Sequence, residues 1–377
     1  MDLNEIQKLE SKVYANTFNR LPVAITHGKG IYLYDVNGIE YLDMFAGIAV
    51  NSLGHCHPEI VETVKKQSET LMHTSNWLYT IPQLELSEIL LKLSGMEKVF
   101  ITNDGTEAVE TAIKLARKAT GKKEIIAMEN AFHGRTLGSL SLTWGERYRK
   151  PFEPLIPKMR FVRYNDTDEL RREISEETSA VILEPIQGES GVIVPDENYL
   201  KEVRELTEEN GILLILDEVQ TGFGRTGKMF AFEHSKIKPD ILCLAKGLGG
   251  GFPIGATLFK GMDFEKGEHG GTFIGNPLAC AVAKTVIDVI IKEDLVKNSE
   301  RIGNYLLREL RAKELNVRGK GLMIGIESEN AERTVLDLIK EKVLTIYSGN
   351  IVRILPPLII KKEHADKFLE SVSRVRF

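Results

Sequence analysis

A chain of 377 residues is too long for one small hydrophobic core, and calls for two unequal lobes or one large α/β domain with an appended lobe. Hydrophobic residues at 42% and charged residues at 27% match ordinary globular proteins, which argues against a disordered or membrane-embedded chain. The 49 basic and 54 acidic residues leave a net charge of -5 with no block of either sign, so small-molecule chemistry is favoured over a nucleic-acid or anionic-membrane surface.

The first ten residues, Met1 to Glu10, are polar and acidic where a signal peptide would be basic and then apolar, and no apolar run approaches a membrane span. Cys56, Cys243 and Cys280 are widely spaced, odd in number and form no C-x-x-C pair, which indicates neither a disulfide framework nor a zinc knuckle. A cytoplasmic protein is expected.

Near the start, the turn signals Gly28-Lys29-Gly30 and Asn37-Gly38 flank the strand-like Ile31 to Tyr34, which predicts a hairpin. From about Lys98, short apolar runs alternate with amphipathic stretches. The runs ending at Phe100 to Thr102, then Ile125 to Met128, Ala180 to Leu183, Ile212 to Leu216 and Ile241 to Leu244, have the Ile, Val and Leu content of strands buried on both faces. Between them, Ala108, Val109, Ala112, Ile113 and Ala116 share one helix face, as do Leu200, Val203 and Leu206. After Asn276-Pro277 comes a long helical stretch, then strand candidates Leu322 to Ile326 and Ile351 to Leu355, and a closing helix from about Glu363. The fold class is therefore α/β: a mostly parallel central sheet covered by helices, with a smaller α+β lobe. A large domain over 46–277 and a small one from 1–45 and 278–377 are expected.

Ligands of open α/β sheets bind beyond the carboxyl ends of the strands. Those ends read Asn103-Asp104-Gly105-Thr106-Glu107, Phe132-His133-Gly134-Arg135, Glu184-Pro185-Ile186-Gln187-Gly188-Glu189, Asp217-Glu218-Val219-Gln220-Thr221-Gly222 and Ala245-Lys246-Gly247-Leu248-Gly249-Gly250-Gly251. The first opens a helix whose free N–H groups and dipole suit a phosphate. Each has a plainer reading too: a common strand–glycine–helix turn, a helix cap at Asp217-Glu218, a solvated loop lysine at Lys246, surface arginines at Arg135 and Arg353. Cys56 and His57 are adjacent but lack the spacing of further metal ligands. The glycines after Lys246 lack the third glycine of a dinucleotide fingerprint, which disfavours a nicotinamide dehydrogenase.

In this order, together with Gly54-His55-Cys56-His57-Pro58, Leu216 to Gly227 and Gly271-Thr272-Phe273 through Asn276-Pro277-Leu278-Ala279, the segments resemble the class III, or ornithine-type, aminotransferases of fold type I. The resemblance runs from Arg20-Leu21-Pro22 to Pro356-Pro357-Leu358, and Gly47 to His55 is most similar to the acetylornithine branch. It implies pyridoxal 5′-phosphate held as a Schiff base on Lys246, whose freed amine then moves the substrate proton. By the same resemblance Asp217 pairs with the pyridine nitrogen, Val219 and Phe132 cover the two ring faces, and Gln220 bonds the phenolic oxygen. Gly105 and Thr106 hold the phosphate, and Thr272 reaches the phosphate of a neighbouring subunit, which implies a homodimer with shared active sites.

For substrates, the resemblance implies an amino donor and 2-oxoglutarate, with Arg135 on the distal carboxylate, Arg353 on the one nearest the cofactor, and Glu189 masking Arg353. Phe18, where ornithine enzymes place a tyrosine, offers no hydroxyl to a free α-amine. Two positions depart from the family: Asp104 replaces a Ser or Thr and is expected to cap the helix with Glu107. Gly271 replaces a Ser common in the acetylornithine branch, leaving only backbone for the substrate. N-Acetylornithine is the expected donor, with ornithine, N-succinylornithine and 4-aminobutyrate as alternatives of the same chemistry. A cofactor-binding protein without turnover finds no support, since Lys246, Asp217 and Arg135 are all present.

Overall fold

The computed structural model describes residues 1–377. Fifteen strands occur in three groups along the chain. Strands β1 (Ile25–Lys29), β2 (Tyr32–Asp35) and β3 (Glu40–Asp43) come first. The central group is β4 (Lys98–Thr102), β5 (Glu124–Met128), β6 (Met159–Val162), β7 (Thr178–Leu183), β8 (Leu213–Asp217), β9 (Ile241–Leu244) and β10 (Gly255–Phe259). The last is β11 (Val317–Lys320), β12 (Met323–Glu327), β13 (Val343–Leu344), β14 (Ile346–Ser348) and β15 (Ile351–Ile354).

The central sheet has seven strands in the order β4-β10-β9-β8-β7-β5-β6. Strand alternation explains its apolar runs. Ile126, Val181, Leu214 and Leu216 pack into a 65-residue cluster on one face, while Ile125, Ala180, Ile182 and Ile215 join the helix Gly105–Thr120 on the other. That helix buries Ala108, Val109, Ala112, Ile113 and Ala116, the face its spacing predicts. One strand departs from the parallel pattern, for β10 runs antiparallel to both β4 and β9. The connection over 245–254 explains it, because a parallel return needs a crossover of a dozen residues or more.

The expected N-terminal hairpin is a three-stranded unit, and its β3 pairs in parallel with β13 from the other end of the chain. The remaining strands form the antiparallel sheet β11-β12-β15-β14, which places Arg353 opposite Gly325 of β12. The long helical stretch after Pro277 is two helices, Pro277–Lys292 and Leu295–Ala312, broken at Asp294, whose φ is 54°. The larger apolar cluster includes Leu216 and Leu244 of the central sheet and Ile324 and Val352 of the C-terminal one, so one core runs through both. No helix is long and apolar enough to cross a membrane.

Candidate active site

The carboxyl ends of the parallel strands meet around a cavity of about 560 Å³. Nine of the residues given a catalytic, cofactor or substrate role from the sequence line it: Gly105, Thr106, Phe132, Arg135, Glu189, Asp217, Val219, Gln220 and Lys246. The wall also carries Gly47, Ile48 and Val50, and the Phe252–Ile254 stretch that leads into β10, none of which the strand-end argument could reach. No group of His, Cys, Asp or Glu side chains has the arrangement of a metal site.

Lys246 lies two positions past the end of β9 and holds a φ of 39°, uncommon for a residue with a Cβ. Burial pushes its ammonium below the usual lysine range and the Arg353 charge adds to that, while Glu184, Asp217 and Glu189 oppose it. An amine so placed spends more time uncharged than a surface lysine.

Asp217 is the last residue of β8, one position inside the strand whose apolar run ends at Leu216. It is 3% exposed; one oxygen accepts from the Val219 amide at 3.0 Å and the other lies 2.7 Å from Nδ1 of His133. His133 is equally buried, and its Nε2 has no partner. Pairing of Nδ1 with a carboxylate fixes that nitrogen as the protonated one. In the sequence His133 stands beside Gly134 and Arg135 with no role of its own. Its contact with Asp217 spans 84 positions and no local pattern announces it.

Glu184 is a second residue missed in this way. One of its buried oxygens accepts from the Phe132 amide at 2.9 Å and the other from the Gly188 amide at 3.0 Å, tying the loop after β5 to the loop after β7. Burial pushes its carboxyl up to about 7; His133 and the two amides pull it down and the Asp217 charge pushes it further up.

At the helix Gly105–Thr120, Asp104 is the N-cap and accepts from the Glu107 amide at 2.8 Å. Glu107 does not complete a capping box with Asp104; its carboxylate takes the Asn103 amide at 2.7 Å. The first-turn amides have no carbonyl behind them, and Gly105 and Thr106 stand at the cavity. Space there is tight: a Cβ at Gly105 would lie 2.8 Å from Val219, and one at Gly134 would lie 2.2 Å from Oγ1 of Thr106.

Arg353, on β15, is 1% exposed. Its Nη1 donates to Glu189 at 2.7 Å and its Nη2 to Oε1 of Gln220 at 3.1 Å. Gln220 thus has a second partner besides the one expected of it. Arg135 is exposed, its guanidinium 4.8 Å from the ring centre of Tyr148 and 5.5 Å from that of Phe132. Gly271 and Thr272 are exposed and lie outside the cavity walls, as does Phe18, which is 61% exposed and packs on Tyr14.

These features suit a phosphorylated aromatic ring with an electrophilic carbon: a helix N-terminus stripped of side-chain bulk, flanking Phe132 and Val219, a buried carboxylate–imidazole pair, an orphaned Nε2 and a lysine whose ammonium burial disfavours. Such a fold and site define an aldehyde-cofactor enzyme of the aminotransferase type. The chain belongs to the aminotransferase class-III family, whose model matches residues 13–375. It is 47% identical to the acetylornithine aminotransferase of Methanopyrus kandleri, over 98% of each chain. It is equally similar to that of Aquifex aeolicus, at 47% identity over 96% of this chain and 98% of that one. Among solved structures, the acetylornithine aminotransferase from Elizabethkingia anophelis matches all of both chains with a TM-score of 0.88 at 34% identity. The ornithine aminotransferase from Toxoplasma gondii ME49 has a TM-score of 0.95 at 32% identity, over 99% of this chain and 94% of that one.

Proposed function

We propose that this transaminase uses pyridoxal 5′-phosphate to move the terminal amine of N-acetylornithine to 2-oxoglutarate, giving N-acetylglutamate semialdehyde and glutamate, a cytoplasmic step of arginine biosynthesis. The observation that carries the reading is the pairing of the buried Arg353 with Glu189, which lines the same cavity as Lys246, supported by the shared name of relatives at 46 to 48% identity. The test is a set of ω-amino donors with 2-oxoglutarate; turnover of N-acetylornithine ahead of ornithine, N-succinylornithine and 4-aminobutyrate is expected. A preference for free ornithine would overturn the donor.

When bound, the cofactor supplies an electron sink that stabilises negative charge on the substrate carbon. Lys246 is the residue that would hold it covalently. Burial disfavours its ammonium form, and its amine, once released, would take a proton from that carbon and return it. Asp217, oriented by His133, would keep the ring nitrogen protonated. Phe132 and Val219 would cover the ring, Gln220 would bond the phenolic oxygen, and the Gly105 and Thr106 amides would take the phosphate. Arg135 would bind the carboxylate far from the reacting carbon, and Arg353 the nearer one once Glu189 swings aside. The hydroxyl-free Gly271 would offer substrate its backbone alone.

The partner is a second copy of this chain. Met72, Trp77, Leu78, Tyr79, Ile81 and Leu84 are 56 to 97% exposed, and the same surface is joined to the 273–274 turn by the His73–Phe273 ring contact and the Asn76–Ile274 hydrogen bond. So much exposed aromatic and aliphatic surface is costly in a monomer. A dimer across it would let Thr272 reach the partner's phosphate site. Sedimentation velocity should give twice the chain mass, and a monomer at micromolar concentration would refute this.

A further inference from the structure

Where the chain leaves β3, it makes a turn of the wrong hand. Ala46, Gly47, Ile48 and Ala49 have φ values of 50°, 63°, 67° and 62° in succession. The amides of Ala49 and Val50 bond the carbonyls of Phe45 and Ala46, each at 2.9 Å, closing a left-handed helical turn. L-residues avoid this conformation because Cβ crowds the carbonyl oxygen, and a β-branched residue such as Ile48 avoids it most. Only one of the four positions is a glycine.

A turn that opposes its residues' preference persists only where its surroundings over-determine it. Here Asp43 does so. Its fully buried Oδ1 accepts from the Phe45 amide at 3.0 Å and the Ala46 amide at 2.8 Å, at the entry to the turn. Its Oδ2 lies 2.6 Å from Nε2 of His55, which fixes the carboxylate's orientation. Past the turn, the Ser52 carbonyl accepts from the Leu358 amide, and before it the Met44 carbonyl accepts from the Leu355 amide, so both ends are tied to the chain just after β15, the strand of Arg353. The result of holding the turn is local: Gly47, Ile48 and Val50 form one wall of the cavity.

We propose that Asp43 and His55 are positioning residues that hold the Ala46–Ala49 backbone in its left-handed turn against its own preference, so that this wall keeps a fixed shape for the donor's carbon chain. The second half rests on the reading of the cavity as the donor pocket. The first half does not, and the two fail separately.

The experiment compares Ala46→Gly with Ala116→Gly in holoenzyme. Both alanines are fully buried, so both variants lose the same methyl group. Ala116, however, sits in the right-handed helix Gly105–Thr120, where glycine destabilises, whereas at Ala46 glycine relieves the left-handed strain. Ala46→Gly should melt about 3 °C above Ala116→Gly and, because glycine keeps the left-handed turn, should hold KM for N-acetylornithine within a factor of two. Asp43→Ala should raise that KM several-fold with kcat within a factor of two, and Asp43→Asn, which keeps an oxygen for both amides, should recover most of it. Equal melting of the two glycine variants overturns the strain. An unchanged KM in Asp43→Ala overturns the role in the wall, and a KM raised equally in Asp43→Asn overturns the part given to the two bonds from Asp43. If the protein turns over no N-acetylornithine at all, the substrate reading fails while the melting comparison still decides the strain.

Discussion

Arg353 and Glu189 form an ion pair of unequal partners: the guanidinium is 1% exposed on a strand and held also by Gln220, whereas the carboxylate is 33% exposed on a loop. The carboxylate is therefore the partner free to move. Glu189→Ala should speed the half-reaction with glutamate relative to that with N-acetylornithine, and Arg353→Ala should slow glutamate far more than the donor, because the planar fork pairs with whichever carboxylate is present. Single-turnover rates changing equally in both half-reactions would dismiss the gate.

Asp217→Ala should cripple catalysis more than folding. Removing one side of a buried charged pair costs about 3 to 5 kcal/mol. If that is lost from the transition state, kcat falls roughly 10² to 10⁴-fold. A rate within a few-fold of the parent would reduce Asp217 to a partner of the Val219 amide. His133→Ala should reproduce part of the loss, since His133 only orients the carboxylate.

Lys246→Ala should fold and fail to turn over, because no other lysine lines the cavity. Borohydride reduction and peptide mapping check it: cofactor trapped on a different lysine, or sustained turnover, would refute the assignment.

Glu218 gives a pH dependence of stability. It is buried, and burial pushes its carboxyl up to about 7, against hydrogen bonds from the Ala231 and Phe232 amides and the Thr221 hydroxyl. Between the unfolded carboxyl value of about 4.3 and about 7, the folded state binds the more protons, so stability falls as pH rises through that window and levels off above it. The full span is on the order of 3 kcal/mol. Urea midpoints of Glu218→Gln should fall less steeply than those of the parent over that range; parallel curves would refute the shift.

The strand ends were legible in the sequence because a strand buried on both faces must be an unbroken apolar run, bounded at its carboxyl end by polar residues or glycine. Lys246, Asp217, Gly105 and Phe132 could be placed in this way. Antiparallel β10 could not, since Gly255 to Phe259 carries no mark of direction and only the short link from β9 decides it. His133 and Glu184 were visible as residues but not as partners, for their contacts cross 84 and 52 positions. The left-handed turn was invisible for the opposite reason: Ala46, Gly47, Ile48 and Ala49 announce no such geometry, and the conformation is imposed by Asp43. Gly271 and Thr272 were legible only through family resemblance, and within one chain they lie outside the cavity.

The proposed reaction requires this cavity to accept an N-acylated ω-amine and then a dicarboxylate. Stopped-flow absorbance of the cofactor-loaded enzyme, mixed separately with N-acetylornithine, ornithine and glutamate and without any acceptor, decides whether it does. The predicted result is a single turnover with N-acetylornithine faster than with ornithine, a slower one with glutamate, and a selective gain for glutamate in Glu189→Ala. Conversion by ornithine or glutamate ahead of N-acetylornithine in the parent enzyme would contradict it.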